Sequence, residues 1–205
     1  AAPIAWNSTT GSVTVVVAVI DTGVDYTHLD LAANMWKNPG EFNRTPGIDD
    51  DGNGIVDDIY GACWTPSARN GNPMDTHGHG THVAGTIGAV GNNAIGIAGV
   101  NWTVKIMALK FFDDNGDGNT SDAVLALEYA VAKGASLTNN SWGGGDYNQS
   151  LKNAIDQAGS AGLVFVAAAG NDYGRDTDSD PHYPSSYNCT SIISVASSTL
   201  EDMPS

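Results

Sequence analysis

The chain predicts an α/β fold of three layers, αβα, in which a central and mainly parallel sheet carries helices on both faces. Three observations predict it. Residues 13–20, Val-Thr-Val-Val-Val-Ala-Val-Ile, form a β-branched run too apolar for a strand with one wet face, as expected of a central strand in a parallel sheet. Further strand patterns at 104–109, 135–140, 163–169 and 192–196 alternate with helical ones. Such alternation implies βαβ units with right-handed crossovers. Polar residues also gather at the carboxyl ends of the strands, where α/β proteins build their sites.

Taken in order, the first strand runs into Asp21-Thr-Gly-Val-Asp25. Asp21 therefore reads either as a turn aspartate before Gly23 or as a functional carboxylate at a buried strand end. Residues 31–75 are rich in Asn, Gly, Pro and Asp without strong periodicity, and read as a long surface excursion. Within it, Asp49, Asp51 and Asn53 alternate, Gly54 follows, and Asp57 comes next, matching the first nine places of a calcium loop. The closing Glu of such a loop is replaced by Tyr60. A merely solvated acidic run is the bland alternative.

Residues 75–86, Asp-Thr-His-Gly-His-Gly-Thr-His-Val-Ala-Gly-Thr, place three histidines within six residues. Val83, Ala84 and Ile87 with the glycines between them suit a helix that begins at His79 and packs on a flat surface. Taken alone, the segment allows three readings: a rigidly held general base, a metal site with Asp75 as a nearby carboxylate, or plain structure. A loop at 91–99 leads to the strand at 104–109, and residues 111–119 form a second acidic, glycine-rich stretch. Ser121 and Asp122 read as the cap of a helix whose apolar positions are Ala123, Val124, Leu127, Tyr129, Ala130 and Val131, stopped by Gly134. A second helix is predicted over 148–160, with Leu151, Ala154, Ile155 and Ala158 on one face.

The 205 residues fit one domain. Hydrophobic residues make up 41% of the chain without a run of membrane-spanning length, so no membrane partner is expected. With 23 acids against 8 bases the formal charge is −15, which argues against nucleic acid and favours calcium, a cationic partner or simple solubility. The pairing of Cys63 and Cys189 is not legible in the sequence. Asn-x-Ser/Thr triplets at Asn7, Asn43, Asn101, Asn119, Asn139, Asn148 and Asn188 agree with an extracellular protein. The N-terminal residues show no basic region followed by an apolar stretch.

At strand and helix ends the chain thus presents Asp21, His79 and Asn171 in that order. An aspartate can orient an imidazole, the imidazole can deprotonate a serine, and an amide can donate to the resulting oxyanion. Three segments resemble the signature motifs of the subtilisin-like serine proteases: Val-Ala-Val-Ile-Asp21-Thr-Gly-Val-Asp, His79-Gly-Thr-His-Val-Ala-Gly-Thr and Val166-Ala-Ala-Ala-Gly-Asn171. The resemblance implies that Asp21 orients His79, that His79 rather than His77 or His82 is the base, and that Asn171 is the oxyanion donor. It further implies that Ser141, Trp142 and Gly143 wall the S1 pocket with Ala168, Ala169 and Gly170, and that Gly116, Asp117 and Gly118 form an edge to which a peptide substrate adds as a strand. Asp30 with Gly91, Asn93, Ile95 and Ile97 is similar to the strong calcium site of the family. Tyr183-Pro184 matches a family dipeptide where a cis bond is plausible. The 113–118 stretch, whose acids at 113, 114 and 117 suggest tolerance of basic residues at P4 or P2, is then an edge rather than a second calcium loop.

The family's nucleophile lies in a Gly-Thr-Ser-Met-Ala type sequence, which is absent from these residues; the sequence given runs to Glu201-Asp-Met-Pro-Ser205. Residues 1–205 are accordingly expected to be a partial peptidase domain, incomplete at both ends, monomeric and secreted. Alone, it is expected not to form a serine acyl-enzyme. Protein or peptide substrates and an inhibitory propeptide are the expected partners. Two rivals stand beside this reading: a non-catalytic peptide-binding protein on the same fold, and a metallohydrolase using His77, His79 and His82.

Overall fold

The computed structural model describes residues 2–172 and 174–199. Residues 201–205, quoted above, lie outside the described residues. The elements run α1 (Ala2–Ala5), β1 (Gly11–Asp21), a 3-10 turn (Ala32–Asn34), β2 (Gly61–Thr65), β3 (Ala68–Asn70), α2 (His79–Gly88), β4 (Thr103–Lys110), α3 (Thr120–Ala132), β5 (Leu137–Asn140), α4 (Gln149–Ser160), β6 (Val164–Ala168) and β7 (Ile192–Val195). Seven strands form one sheet in the order β3-β2-β4-β1-β5-β6-β7. All neighbours pair in parallel except the β2–β3 hairpin.

Residues 17–20 of the apolar run become the buried middle of this sheet, while Val13 at its start is 58% exposed; the strand's period of two divides the core in half. Ala18 and Ile20 face one cluster with Met107, Leu109, Leu127, Ile155 and Phe165, which α3 and α4 cover. Val17 and Val19 face the other with Val104, Ile106, Ala108, Leu31, Met35 and Ala84, where α2 packs. Helices thus cover both faces, as predicted, and the fold is a three-layer α/β sandwich. Burying each such aliphatic side chain contributes about 1.5–3 kcal/mol before entropy is set against it.

Helix ends follow local chemistry. Asn148 caps α4, its side chain accepting from the Leu151 N–H at 3.0 Å. The cap of α3 is Asn119 rather than Ser121 or Asp122, and its side chain makes no capping bond. Asp122 is instead buried, accepting from Asn119 Nδ2 at 2.9 Å and Arg69 at 3.1 Å. Gly134, at φ +75, ends the helix where expected.

The stretch 31–75 is where prediction and structure part. It holds β2 and β3, and all five residues of β2 are buried. The sequence Gly-Ala-Cys-Trp-Thr is too short to show a period. It is a strand because β4 pairs with it and α3 covers it, with Trp64 edge-on to Tyr129 at 5.3 Å between ring centroids. Cys63 and Cys189 are free thiols, and burial pushes the Cys189 thiol up to about 11. The Tyr183–Pro184 bond is cis.

Candidate active site

Asp21 is the last residue of β1, the central strand of the sheet. Its side chain is fully buried, while that of His79, the first residue of α2, is 47% exposed. Oδ1 of Asp21 and Nδ1 of His79 are 2.7 Å apart. The N–H of Thr22 donates to the same oxygen at 2.7 Å, and Oδ2 is buried without a partner. A carboxylate sealed in this way is costly to leave uncompensated, so an imidazole proton on Nδ1 is strongly favoured and Nε2 is left on the solvent side. That is the tautomer and orientation a general base needs.

The approach of α2 to β1 depends on Gly80, because a Cβ there would overlap the carbonyl oxygen of Gly23 and stand 3.1 Å from Cβ of Asp21. The helix mouth has no side-chain N-cap. Asp75 takes that role: it accepts from the N–H groups of His77 (3.0 Å), Gly78 (2.9 Å) and Thr81 (2.9 Å), and from the hydroxyls of Thr81 (2.6 Å) and Thr22 (3.0 Å). Burial pushes its carboxyl up, but these donors outweigh burial and hold it below the ordinary value of 3.8. Asp75 is therefore a helix anchor in this structure. His77 and His82 are exposed, and among the described residues no histidine belongs to a group of converging metal-binding side chains.

The proposed substrate segments flank this pair. Asn140 ends β5 and bonds Thr138 and the Val166 carbonyl, joining β5 to β6 just before Ser141. Trp142 is half-buried and lies edge-on to Phe111, centroids 4.9 Å apart, and to Phe112 at 6.4 Å. The two phenylalanines lead directly into the 113–118 stretch, which Asp113 closes by accepting from Asn115 (2.9 Å) and Asp117 (3.0 Å). Gly116, Asp117 and Gly118 are exposed on that turn. Ala168, Ala169 and Gly170 follow out of β6, and Asn171 is exposed after them. The buried His182 lies against both Gly143 and Gly170: a Cβ on Gly143 would overlap its ring, and one on Gly170 would stand 3.1 Å from it. Burial, aided by Arg175 and opposed by Asp172, holds that imidazole below its usual range.

The acidic loop arranges itself differently from a simple calcium loop. Asp49 accepts from the N–H groups of Gly52, Asn53 and Gly54, Asn53 accepts from Ile55 and donates to Asp58, and Asp57 accepts from Gly47. Of these loop residues Asp51 alone joins a converging group among the described residues, with Glu41 and Asp58, whose oxygens lie within 4.8 Å of one another. Oε2 of Glu41 is buried there without a partner. A hard-oxygen donor set with an orphaned buried oxygen fits a calcium ion. Lys133 and Asn38 also reach Asp51, and outweigh burial to hold its carboxyl low. Around Asp30 the predicted residues do assemble: Asn93 Nδ2 donates to Oδ1 at 2.7 Å and Ile97 N–H to Oδ2 at 3.0 Å, while Ile95 N–H bonds the Asn93 amide oxygen. A Cβ on Gly91 would overlap the Trp102 ring, and the neighbouring Val90 N–H donates to the main-chain oxygen of Asp30 at 2.9 Å. Asp30 is 2% exposed and its side-chain donors, the Asn93 amide and the Ile97 N–H, are neutral, so its chemistry also fits a bound cation.

Sequence reasoning named Asp21 and His79 but missed Thr22, His182, Glu41 and Asp58, whose roles arise from partners outside their own short segments. The subtilase family profile matches residues 12–205. The chain belongs to the subtilase family. It is 40% identical over 164 residues to Subtilisin-like protease 1 of Plasmodium berghei (strain Anka), covering 80% of this chain and 27% of that protein. It is 41% identical over 177 residues to the Thermophilic serine proteinase of Bacillus sp. (strain AK1), covering 86% and 38%. To Subtilisin amylosacchariticus of Bacillus subtilis subsp. amylosacchariticus it is 35% identical over 190 residues, covering 93% and 42%. This subtilase chain therefore spans less than half the length of these relatives. Among its described residues no helix is long and apolar enough to cross a membrane.

Proposed function

We propose that this subtilase chain supplies the aspartate, the histidine, the oxyanion donor and much of the peptide groove of a secreted, calcium-stabilised serine endopeptidase. The observation that carries the reading is the 2.7 Å contact between the sealed carboxylate of Asp21 and Nδ1 of the half-exposed His79. Nε2 of His79 would take the proton of a serine outside these 205 residues as its oxygen attacks the scissile carbonyl. The same proton would then pass to the leaving amine. Asn171 would donate its side-chain amide to the oxyanion, a contact whose loss costs roughly 10²–10³ in turnover in a comparable site. A peptide would lie between 116–118 and 141–143 by strand addition, with P1 against 168–170.

Calcium would be held by Asp30 with Asn93 and carbonyls of its loop, and by Glu41, Asp51 and Asp58; it would supply rigidity rather than chemistry. Secretion agrees with the acidic surface and the sequons. A propeptide is a further expected partner, and a monomer the expected state. The test is labelling of the full-length protein with a serine-directed fluorophosphonate probe, alongside cleavage of a quenched peptide library. Labelling that disappears in His79→Ala supports the proposal. Peptide binding without labelling or turnover would support the non-catalytic binding reading instead.

A further inference from the structure

One buried cation has no part in the chemistry above. Lys110 ends β4, opposite Asp21 in the β1–β4 register, and is 7% exposed. Lysine is rarely so buried unless its ammonium has strong partners. Nζ donates to the main-chain oxygen of Thr22 at 2.7 Å and reaches Oδ1 of Asp114 at 3.4 Å. Asp114 is 68% exposed and also bonded by the Thr76 hydroxyl, so the carbonyl is the firmer partner. Lys110 borders a polar cavity of about 490 Å³ lined also by Asn72, Thr76 and Asp113, and the shortest bond of its ammonium is to the turn after Asp21.

Each polar group of Thr22 is engaged. Its N–H donates to Asp21 Oδ1 (2.7 Å), its hydroxyl donates to Asp75 (3.0 Å) and accepts from Gly80 N–H (2.9 Å), and its carbonyl accepts from Lys110. The carbonyl of Asp21 itself accepts from Phe111 N–H at 3.0 Å. The turn that aims the carboxylate is thus pinned from α2, from the chain after β4 and from Lys110. We propose that Lys110 is a positioning residue for the Asp21–His79 pair, its ammonium holding the Thr22 carbonyl and linking that turn through Asp114 to the 113–118 substrate edge. The kinetic consequence rests on the protease reading; the structural consequence does not.

The full-length protein, Lys110→Met and Lys110→Arg are compared by the low-field Nδ1–H proton resonance of His79 and by kcat and KM on a cleaved peptide. Lys110→Met is expected to shift and broaden that resonance and to lower kcat by about 10–100-fold with KM within about twofold, and Lys110→Arg to recover kcat to within about tenfold of the parent. An unchanged resonance with kcat within about threefold in folded Lys110→Met overturns the proposal. A changed resonance in a protein that cleaves nothing supports the positioning role while removing the protease reading. Should Lys110→Met fail to fold, the unmodified protein still decides: slow solvent exchange of the ¹⁵N-labelled Lys110 ammonium is expected, and rapid exchange overturns it.

Discussion

Oδ1 of Asp21 and Nδ1 of His79 meet at 2.7 Å across the junction of the central strand and the helix that covers it, one side chain sealed and the other open to solvent. The asymmetry gives the pair a direction: the carboxylate is fixed by the core and the ring is held by the carboxylate. Asp21→Asn keeps the shape but presents an amide where the imidazole proton should bond. Turnover by the full-length protein is expected to fall by about 10³–10⁴, as when the equivalent aspartate is replaced in other triads, with a melting temperature within a few degrees of the parent. A kcat loss below tenfold would remove Asp21 from the mechanism.

Gly80 lets α2 approach β1. Gly80→Ala should force the helix away from the Gly23 carbonyl and destabilise the fold by about 1–3 kcal/mol, the usual cost of overpacking. Urea titration measures it, and an unchanged midpoint would contradict the close approach.

Asp75 makes stability depend on acid. Its folded carboxyl lies below 3.8, so its contribution is fully present above that value and is lost as pH falls through the lower folded one. The parent is therefore expected to lose stability on acidification below about pH 4, and Asp75→Asn to show a flatter profile over that window. Thermal melts between pH 2 and 7 make the comparison. Parallel profiles would show that Asp75 does not anchor the helix.

The Glu41–Asp51–Asp58 group and the Asp30 loop are expected to bind calcium. A ligand at a hundred times its dissociation constant adds about 2.7 kcal/mol to stability. Chelation should lower the melting temperature by several degrees, and Glu41→Gln should shrink that shift. No change across millimolar calcium would remove both positions.

Asn171 stands exposed beyond β6, and is proposed above as the oxyanion donor. Asn171→Ala should cost about 10²–10³ in kcat with little change in KM. Equal losses in binding and turnover would assign it to ground-state contacts instead.

Much of this was legible locally. A β-branched run that is apolar on both faces favours a strand covered on both, which residues 17–21 are although Val13 is exposed, so β1 and the carboxyl-end place of Asp21 were readable from the sequence. The same holds for α2 at His79, for the helix predicted over 148–160, and for the order Asp21, His79, Asn171. Residues whose meaning lies in a distant partner were not readable. Gly61–Thr65 is a strand because β4 and α3 flank it. Asp49, Asp51, Asn53 and Asp57 are spaced like ligands, yet the loop turns three of them onto its own backbone or neighbours and carries only Asp51 to Glu41 and Asp58. Asp75, the nearby carboxylate in one of the three readings of its segment, is absorbed by the N–H groups at the mouth of α2.

The sequence by itself determined the layers, the strand ends and the candidate residues Asp21, His79 and Asn171, because burial patterns and residue chemistry are properties of short segments. The tertiary structure decided which oxygens converge on Glu41, why Gly80 cannot carry a side chain, and where the Lys110 ammonium is spent. Those are distances between elements far apart in the chain, set by how the sheet and helices pack, and no local pattern encodes them.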